Sequence, residues 1–178
     1  MKIEETCENL YRKFVKDDHG SSDYFGLIKE LITIKNQGDA TVEAYIRKTY
    51  ALVEDEIRSN RGTPQKEVSF GTSGWRGVLG KDIFVESVKS VTAAIVRIYR
   101  EVDKDDEMKE LLGVKSFDDA RKRGCLLGFD NRFRGEILGN AAAQYITKNG
   151  FKVYFCNETT TGVLSAGLLV LDAAFSIN

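Results

Sequence analysis

The sequence predicts an α/β protein: a three-layer α/β/α domain around a mostly parallel, or partly mixed, sheet, preceded by an all-helical segment. Three observations carry this expectation. Apolar residues in the first 62 positions recur only at helical steps of three and four. Beyond Pro64, the only proline, short apolar runs alternate with longer helix-period stretches, as in a parallel sheet covered by helices. Glycine, arginine and threonine then crowd into the loops after those apolar runs, which is where open α/β sheets place their ligands.

The first helix is expected from about Ile3 to Val15, with Cys7, Leu10, Tyr11 and Phe14 on one face, until "HGSSD" breaks it. A second begins near Asp23 and carries Tyr24, Ile28, Leu31 and Ile32 at helical spacing. Gly38 is read as its stop and Asp39 as the cap of the next helix. That third helix shows an amphipathic stripe of Val42, Ile46, Thr49, Val53 and Ile57. "RSNRGTPQ" marks the boundary between a helical extension, residues 1–62, and an α/β domain over residues 66–178.

In the second part, "EVSF" reads as a short strand and the glycine loop after it as a link to a helix from about Phe84 to Val102. The stripe of that helix is Phe84, Val88, Val91, Ile95, Ile98 and Val102. "DKDDEMKELLGVKSFDDARKRG" is a charged excursion, irregular or helical. "CLLGFD" is a strand ending at Asp130, "NRFRGE" a loop, and Glu136 to Lys148 a helix that stops at Asn149-Gly150. "FKVYFC" is a strand, "NETTTG" a loop, Gly162 to Leu171 a helix, and "AAFSIN" a last strand.

Composition narrows the functional classes. Twenty-six Lys and Arg balance 27 Asp and Glu, for a formal net charge of −1. This is neither a polybasic nucleic-acid binder nor a membrane-surface binder, so anion recognition must be local. The charged N-terminus does not fit a signal peptide, and no run approaches the roughly 18 apolar residues of a membrane helix. Cys7, Cys125 and Cys156 form no C-x-x-C pair, which fits a reduced, cytoplasmic protein with structural thiols. His19, the only histidine, sits in the turn-like "DDHGSSD" and reads as surface decoration.

The chemistry concentrates in "SFGTSGWRGVLGKDI", residues 69–83. Gly71, Gly74 and Gly77 recur at steps of three, with Thr72 and Ser73 between the first two and Trp75 and Arg76 after them. This is neither the Walker pattern nor the dinucleotide fingerprint, so no nucleotide cofactor is indicated. The physical content is that of an anion cradle all the same. Glycines let backbone N–H groups turn toward a negative charge, Thr72 and Ser73 offer hydroxyl donors, and Arg76 can grip a phosphate through two parallel bonds. The plainer reading is a glycine-rich turn with Arg76 in solvent. "GFDNRFRG" adds Asp130, Arg132 and Arg134 at a strand end, either as a second anion loop or as an ordinary salt bridge in which Asp130 holds Arg132. Thr159, Thr160 and Thr161 form a third loop, where capping of the following helix is favoured.

"FGTSGWRG", Phe70 to Gly77, resembles the opening motif of the α-D-phosphohexomutases, the phosphoglucomutase/phosphomannomutase superfamily. "GFDNR", Gly128 to Arg132, resembles the family's Gly-x-Asp-x-Arg strand end. "AAAQYITKNGFKVYF" resembles the helix, glycine and strand that follow. Thr161, Leu164 and Ser165 match the family's Pro-Thr-Pro-Ala-Leu-Ser, though both prolines are missing here. The resemblance covers residues 66–178, with residues 1–62 as a long helical extension.

The resemblance implies an enzyme that interconverts sugar 1-phosphates and 6-phosphates through a phosphoserine and a bisphosphorylated intermediate. It implies Mg²⁺ and a sugar 1,6-bisphosphate activator in the full enzyme. Within these 178 residues there is no Ser-His-Asn-Pro and no Asp-x-Asp-x-Asp, and the sugar loop and distal phosphate loop are missing as well. The expectation is therefore an N-terminal portion that ends before the phosphoserine loop, binds no metal, has no catalytic residue of its own and is inactive alone. Arg76 would meet a phosphate, Thr72, Ser73 and Gly74 would shape its loop, and Arg132 is a weaker candidate. Partners would be a sugar phosphate, with glucose, mannose and pentose phosphates all open, and the remaining domains. The oligomeric state is left open. The alternative is a stand-alone sugar-phosphate-binding or regulatory module without catalysis.

Overall fold

The structure is a computed structural model and describes residues 3–35, 42–71 and 74–178. The chain divides into two compact units, Met1–Phe84 and Val85–Asn178.

The first unit is built on three helices, α1 (Ile3–Phe14), α2 (Tyr24–Lys35) and α3 (Val42–Ser59). Cys7, Leu27, Leu31 and Val42 are buried together, with Leu10, Tyr11, Phe14 and Ile46 packed around them, so the helical stripes of the sequence meet as one core. The turn after α1 closes on itself. The Ser22 hydroxyl donates to the Asp18 carbonyl at 2.8 Å and accepts the Lys16 amide at 2.9 Å, and the Asp23 carboxylate caps α2 by accepting the Gly26 amide at 2.8 Å. The expected stop at Gly38 and cap at Asp39 lie outside the described residues.

After α3 the glycine-rich stretch forms a two-residue antiparallel hairpin, β1 (Phe70–Gly71) with β2 (Gly74–Trp75), pairing Phe70 with Trp75 and Gly71 with Gly74. This corrects the expectation of a strand over "EVSF" followed by a glycine loop that links it to the next helix. Glu67, Val68 and Ser69 make no ladder, and the hairpin belongs to its own two-stranded sheet. Gly74, paired with Gly71, has a φ of +95°, a conformation that L side chains rarely adopt.

The second unit is a three-layer α/β/α arrangement. Its sheet has the order β4-β3-β5, with β3 (Cys125–Phe129) parallel to both β4 (Val153–Glu158) and β5 (Phe175–Ile177). Alternation along β3 sorts its side chains between two layers. Cys125 and Leu127 pack with Val96, Tyr99, Ala142, Ile146 and Phe151, from α4 (Val85–Glu101), α7 (Gly135–Lys148) and the turn after α7. Leu126 packs with Leu164 of α8 (Thr161–Val170) and with Ala173. The charged excursion is two short capped helices. Asp105 caps α5 (Asp106–Leu112), and Ser116 caps α6 (Phe117–Arg123).

The buried face of α4 is rotated from the expected stripe. Ser87, Thr92, Val96 and Tyr99 are buried, whereas Ile98 is 47% exposed. Polar atoms on this face are satisfied internally, which permits their burial. The Thr92 hydroxyl donates to the Val88 carbonyl at 2.7 Å, and the Tyr99 hydroxyl donates to the Ala174 carbonyl at 3.1 Å.

Candidate functional site

Arg76 follows β2 directly. It is exposed, and among the described residues it makes no hydrogen bond or ion pair. An arginine with no carboxylate of its own keeps all its guanidinium donors for an incoming anion. Thr72 and Ser73 lie outside the described residues, while Gly74 opens β2 with a positive φ.

The backbone beyond Arg76 is fixed by a carboxylate that the motif alone does not reveal. Asp82 is 1% exposed and accepts two amides, from Lys66 at 2.9 Å and Val78 at 2.8 Å. One side chain thus ties the entry to the glycine stretch to its exit. Gly77 makes this possible, since a Cβ there would lie 2.5 Å from the Asp82 Cβ. The Val78 carbonyl in turn accepts the amides of Lys81, Asp82 and Ile83, which closes a tight turn over residues 78–83.

This turn is gripped by the helices of the same unit. Lys81 Nζ lies 2.7 Å from Glu56 Oε1, with the carboxylate 2% exposed and the lysine 14%. Its ammonium also donates to the His19 carbonyl and sits 5.6 Å from the centre of the Tyr24 ring. The Asn60 amide donates to the Gly80 carbonyl at 2.7 Å. His19 is not the surface decoration expected. Its Nε2 reaches the Asp55 carboxylate at 3.0 Å, and its Nδ1 lies 2.7 Å from the Tyr24 hydroxyl. Burial pushes the Tyr24 hydroxyl above its ordinary pKa, so it remains a donor.

The second unit gathers two loops at the carboxyl ends of β3 and β4, where the Thr159 amide donates to the Phe129 carbonyl at 2.7 Å. Arg132 is bound locally. Its Nε meets both oxygens of Asp130 at 2.8 Å, and its own amide donates to Asp130 at 3.1 Å. The Arg132 hydrogen bond holds the Asp130 carboxyl below its usual range, and Asp130 raises the arginine. The salt-bridge reading of this loop is therefore the one the structure takes, although the Arg132 side chain is still 76% exposed. Arg134, with φ of +59°, precedes the first turn of α7 and pairs with Glu136 at 3.4 Å. Thr160 caps α8 by accepting the Val163 amide, and Thr161 accepts from the Asn178 side chain at 2.8 Å.

Cys125 is buried and its thiol is pushed up to about 12 by desolvation, so it is not a nucleophile at neutral pH. Among the described residues no three His, Cys, Asp or Glu side chains gather where a metal could sit. Among the same residues no helix is long and apolar enough to cross a membrane.

The second unit is an α/β/α domain with loops at the carboxyl ends of its parallel strands. The family model for phosphoglucomutase/phosphomannomutase, alpha/beta/alpha domain I, matches residues 67–178, and the chain belongs to that family. No curated protein and no solved structure matches the chain.

Proposed function

We propose that this chain carries the first phosphate-gripping loop of a phosphohexomutase-type isomerase, with Arg76 as the residue that meets a phosphate. The observation that carries the reading is Arg76, exposed and without a partner among the described residues, in the span the family model matches, just after a hairpin whose neighbouring backbone is tied to Asp82. The reaction would interconvert a sugar 1-phosphate and a sugar 6-phosphate through a phosphoserine and a bisphosphorylated intermediate. An arginine suits this chemistry, because the transferring phosphoryl group needs fixed positive charge placed before the reaction begins.

In this reading Thr72, Ser73 and Gly74 shape the loop around the phosphate. Arg132, its Nε occupied by Asp130, contributes at most through its outer guanidinium nitrogens. The helices of residues 1–62 extend the α/β domain over 66–178. The phosphoserine, Mg²⁺, sugar-binding and distal phosphate loops, with the sugar 1,6-bisphosphate activator they serve, belong to residues other than these. The chain is cytoplasmic and works with those further domains. By itself it turns over no sugar phosphate.

The test is a titration with glucose 1,6-bisphosphate followed through Trp75, the only tryptophan and the neighbour of Arg76. The expected result is a weak, saturable, salt-sensitive change in emission that Arg76→Ala abolishes. A response identical in Arg76→Ala overturns the assignment of Arg76. Mutase turnover by the repurified chain, with phosphate on one of its own serines, overturns its inactivity.

A further inference from the structure

Lys81, Glu56 and Asn60 lie outside the glycine motif, and a phosphate held at Arg76 would not touch them in this reading. Their arrangement is still directional. Residues 78–83 form a closed turn, with three amides on the Val78 carbonyl and the Val78 amide on the buried Asp82. That turn is fastened to the helices at two successive residues, Gly80 through Asn60 and Lys81 through Glu56. The Lys81 ammonium is also held by the His19 carbonyl in the α1–α2 turn, so separate parts of the helical segment converge on one cation. Between this fastened turn and Arg76 stands a single residue, Gly77. Where Arg76 emerges is therefore set by the helices.

A buried ion pair is weak evidence for stability, because well-packed apolar side chains would often serve as well or better. What the pair supplies is direction: a charged hydrogen bond fixes a distance and an angle that apolar contact leaves loose. We infer that the helical segment is a clamp on the Arg76 loop, and that Lys81, through Glu56, is a positioning residue for anion binding. The inference rests on the reading of Arg76 as an anion-binding residue, and it gives the helical extension a role beyond packing.

The experiment uses the whole chain and glucose 1,6-bisphosphate, read by Trp75 emission, at a temperature where far-UV circular dichroism shows each variant folded. Lys81→Met keeps the aliphatic stem and removes the charge, and Glu56→Gln removes its partner. Each is expected to weaken binding about tenfold, the scale of one displaced charge-assisted hydrogen bond. Lys81→Arg retains the charge and is expected to restore most of the affinity, which a purely space-filling role would not require. If Lys81→Met or Glu56→Gln fails to fold, Asn60→Ala removes only the hydrogen bond to Gly80 and is expected to weaken binding by about threefold, a net neutral hydrogen bond.

Folded variants that bind like the wild type, while Arg76→Ala loses the response, overturn the clamp and leave the anion site standing. A wild-type chain that gives no response, or an Arg76→Ala chain that titrates like the wild type, overturns the anion site and the clamp with it.

Discussion

Arg76 and Arg132 answer the same sequence signal in opposite ways. Both follow a glycine-bearing strand end, and both suit an anion by residue type. Arg132 spends its Nε on Asp130, two residues away, in a turn that closes on itself. Arg76 has no partner among the described residues, and its loop is held by nearby Asp82 and, through the neighbouring turn, by Glu56 and Asn60, which are distant in sequence. One loop is built locally and neutralises its own charge. The other is built by its surroundings and leaves its charge free. In the proposed reading, Arg76 is distinguished from Arg132 less by its motif than by what holds the backbone beside it.

The largest expected effect comes from removing the Arg76 charge. Arg76→Ala is expected to abolish the Trp75 response to bisphosphate, whereas Arg132→Ala changes it by less than about threefold, because a partly neutralised, exposed guanidinium carries little net interaction. Equal losses in the two variants would erase the contrast. Next is the buttress. Asp82→Ala removes a buried carboxylate from the part-buried hydrogen bonds of the Lys66 and Val78 amides, at about 1.5–3 kcal/mol for each hydrogen bond to a charged group. A urea midpoint unchanged in Asp82→Ala would show that the loop does not depend on this carboxylate.

These two arginines also show what the sequence could convey. The Asp130–Arg132 pair spans two residues, so it could be weighed from "GFDNR" alone. The helices of the first unit were legible because their apolar residues repeat at the period of the helix. The Asp82 buttress and the Lys81–Glu56 pair were not. "GKD" offers no period, and the partners are chosen by how α3 lies against the turn. His19 was misread for the same reason, since Asp55 is 36 residues away. The hairpin was missed because "EVSF" alternates like a strand, while the ladder that forms pairs Phe70 with Trp75 and Gly71 with Gly74. The α4 stripe was rotated because Thr92 and Tyr99 satisfy their own polar groups, which a hydropathy pattern does not register.

A third prediction concerns pH. In the second unit burial raises the Cys125 thiol from 9.0 and the Tyr99 hydroxyl from 10.0, each to about 12. Folding therefore favours the protonated forms. Their contribution is fully present below the unfolded values and is lost as pH rises from about 9 toward 12. The urea midpoint should fall across this window, and Cys125→Ala should flatten the fall even though its cavity lowers the midpoint at neutral pH. A slope unchanged in Cys125→Ala would remove the thiol from the account.

The smallest effect tests the local loop. Asp130→Asn removes the partner of Arg132 from an exposed turn, where such pairs contribute about 0.2–1 kcal/mol. The Arg132 hydrogen bond depresses the Asp130 carboxyl, so its contribution is present above the unfolded carboxylate value and is lost as pH falls through the lower folded one. Asp130→Asn should thus cost little at pH 7 and nothing in acid, and its unfolding curve should meet that of the wild type there. A cost exceeding that of Asp82→Ala would reverse the contrast and make the second loop the buttressed one. If Asp130→Asn instead strengthens the bisphosphate response, the charge it frees on Arg132 is available to anions. Asp130 would then be what keeps the second arginine from acting like the first.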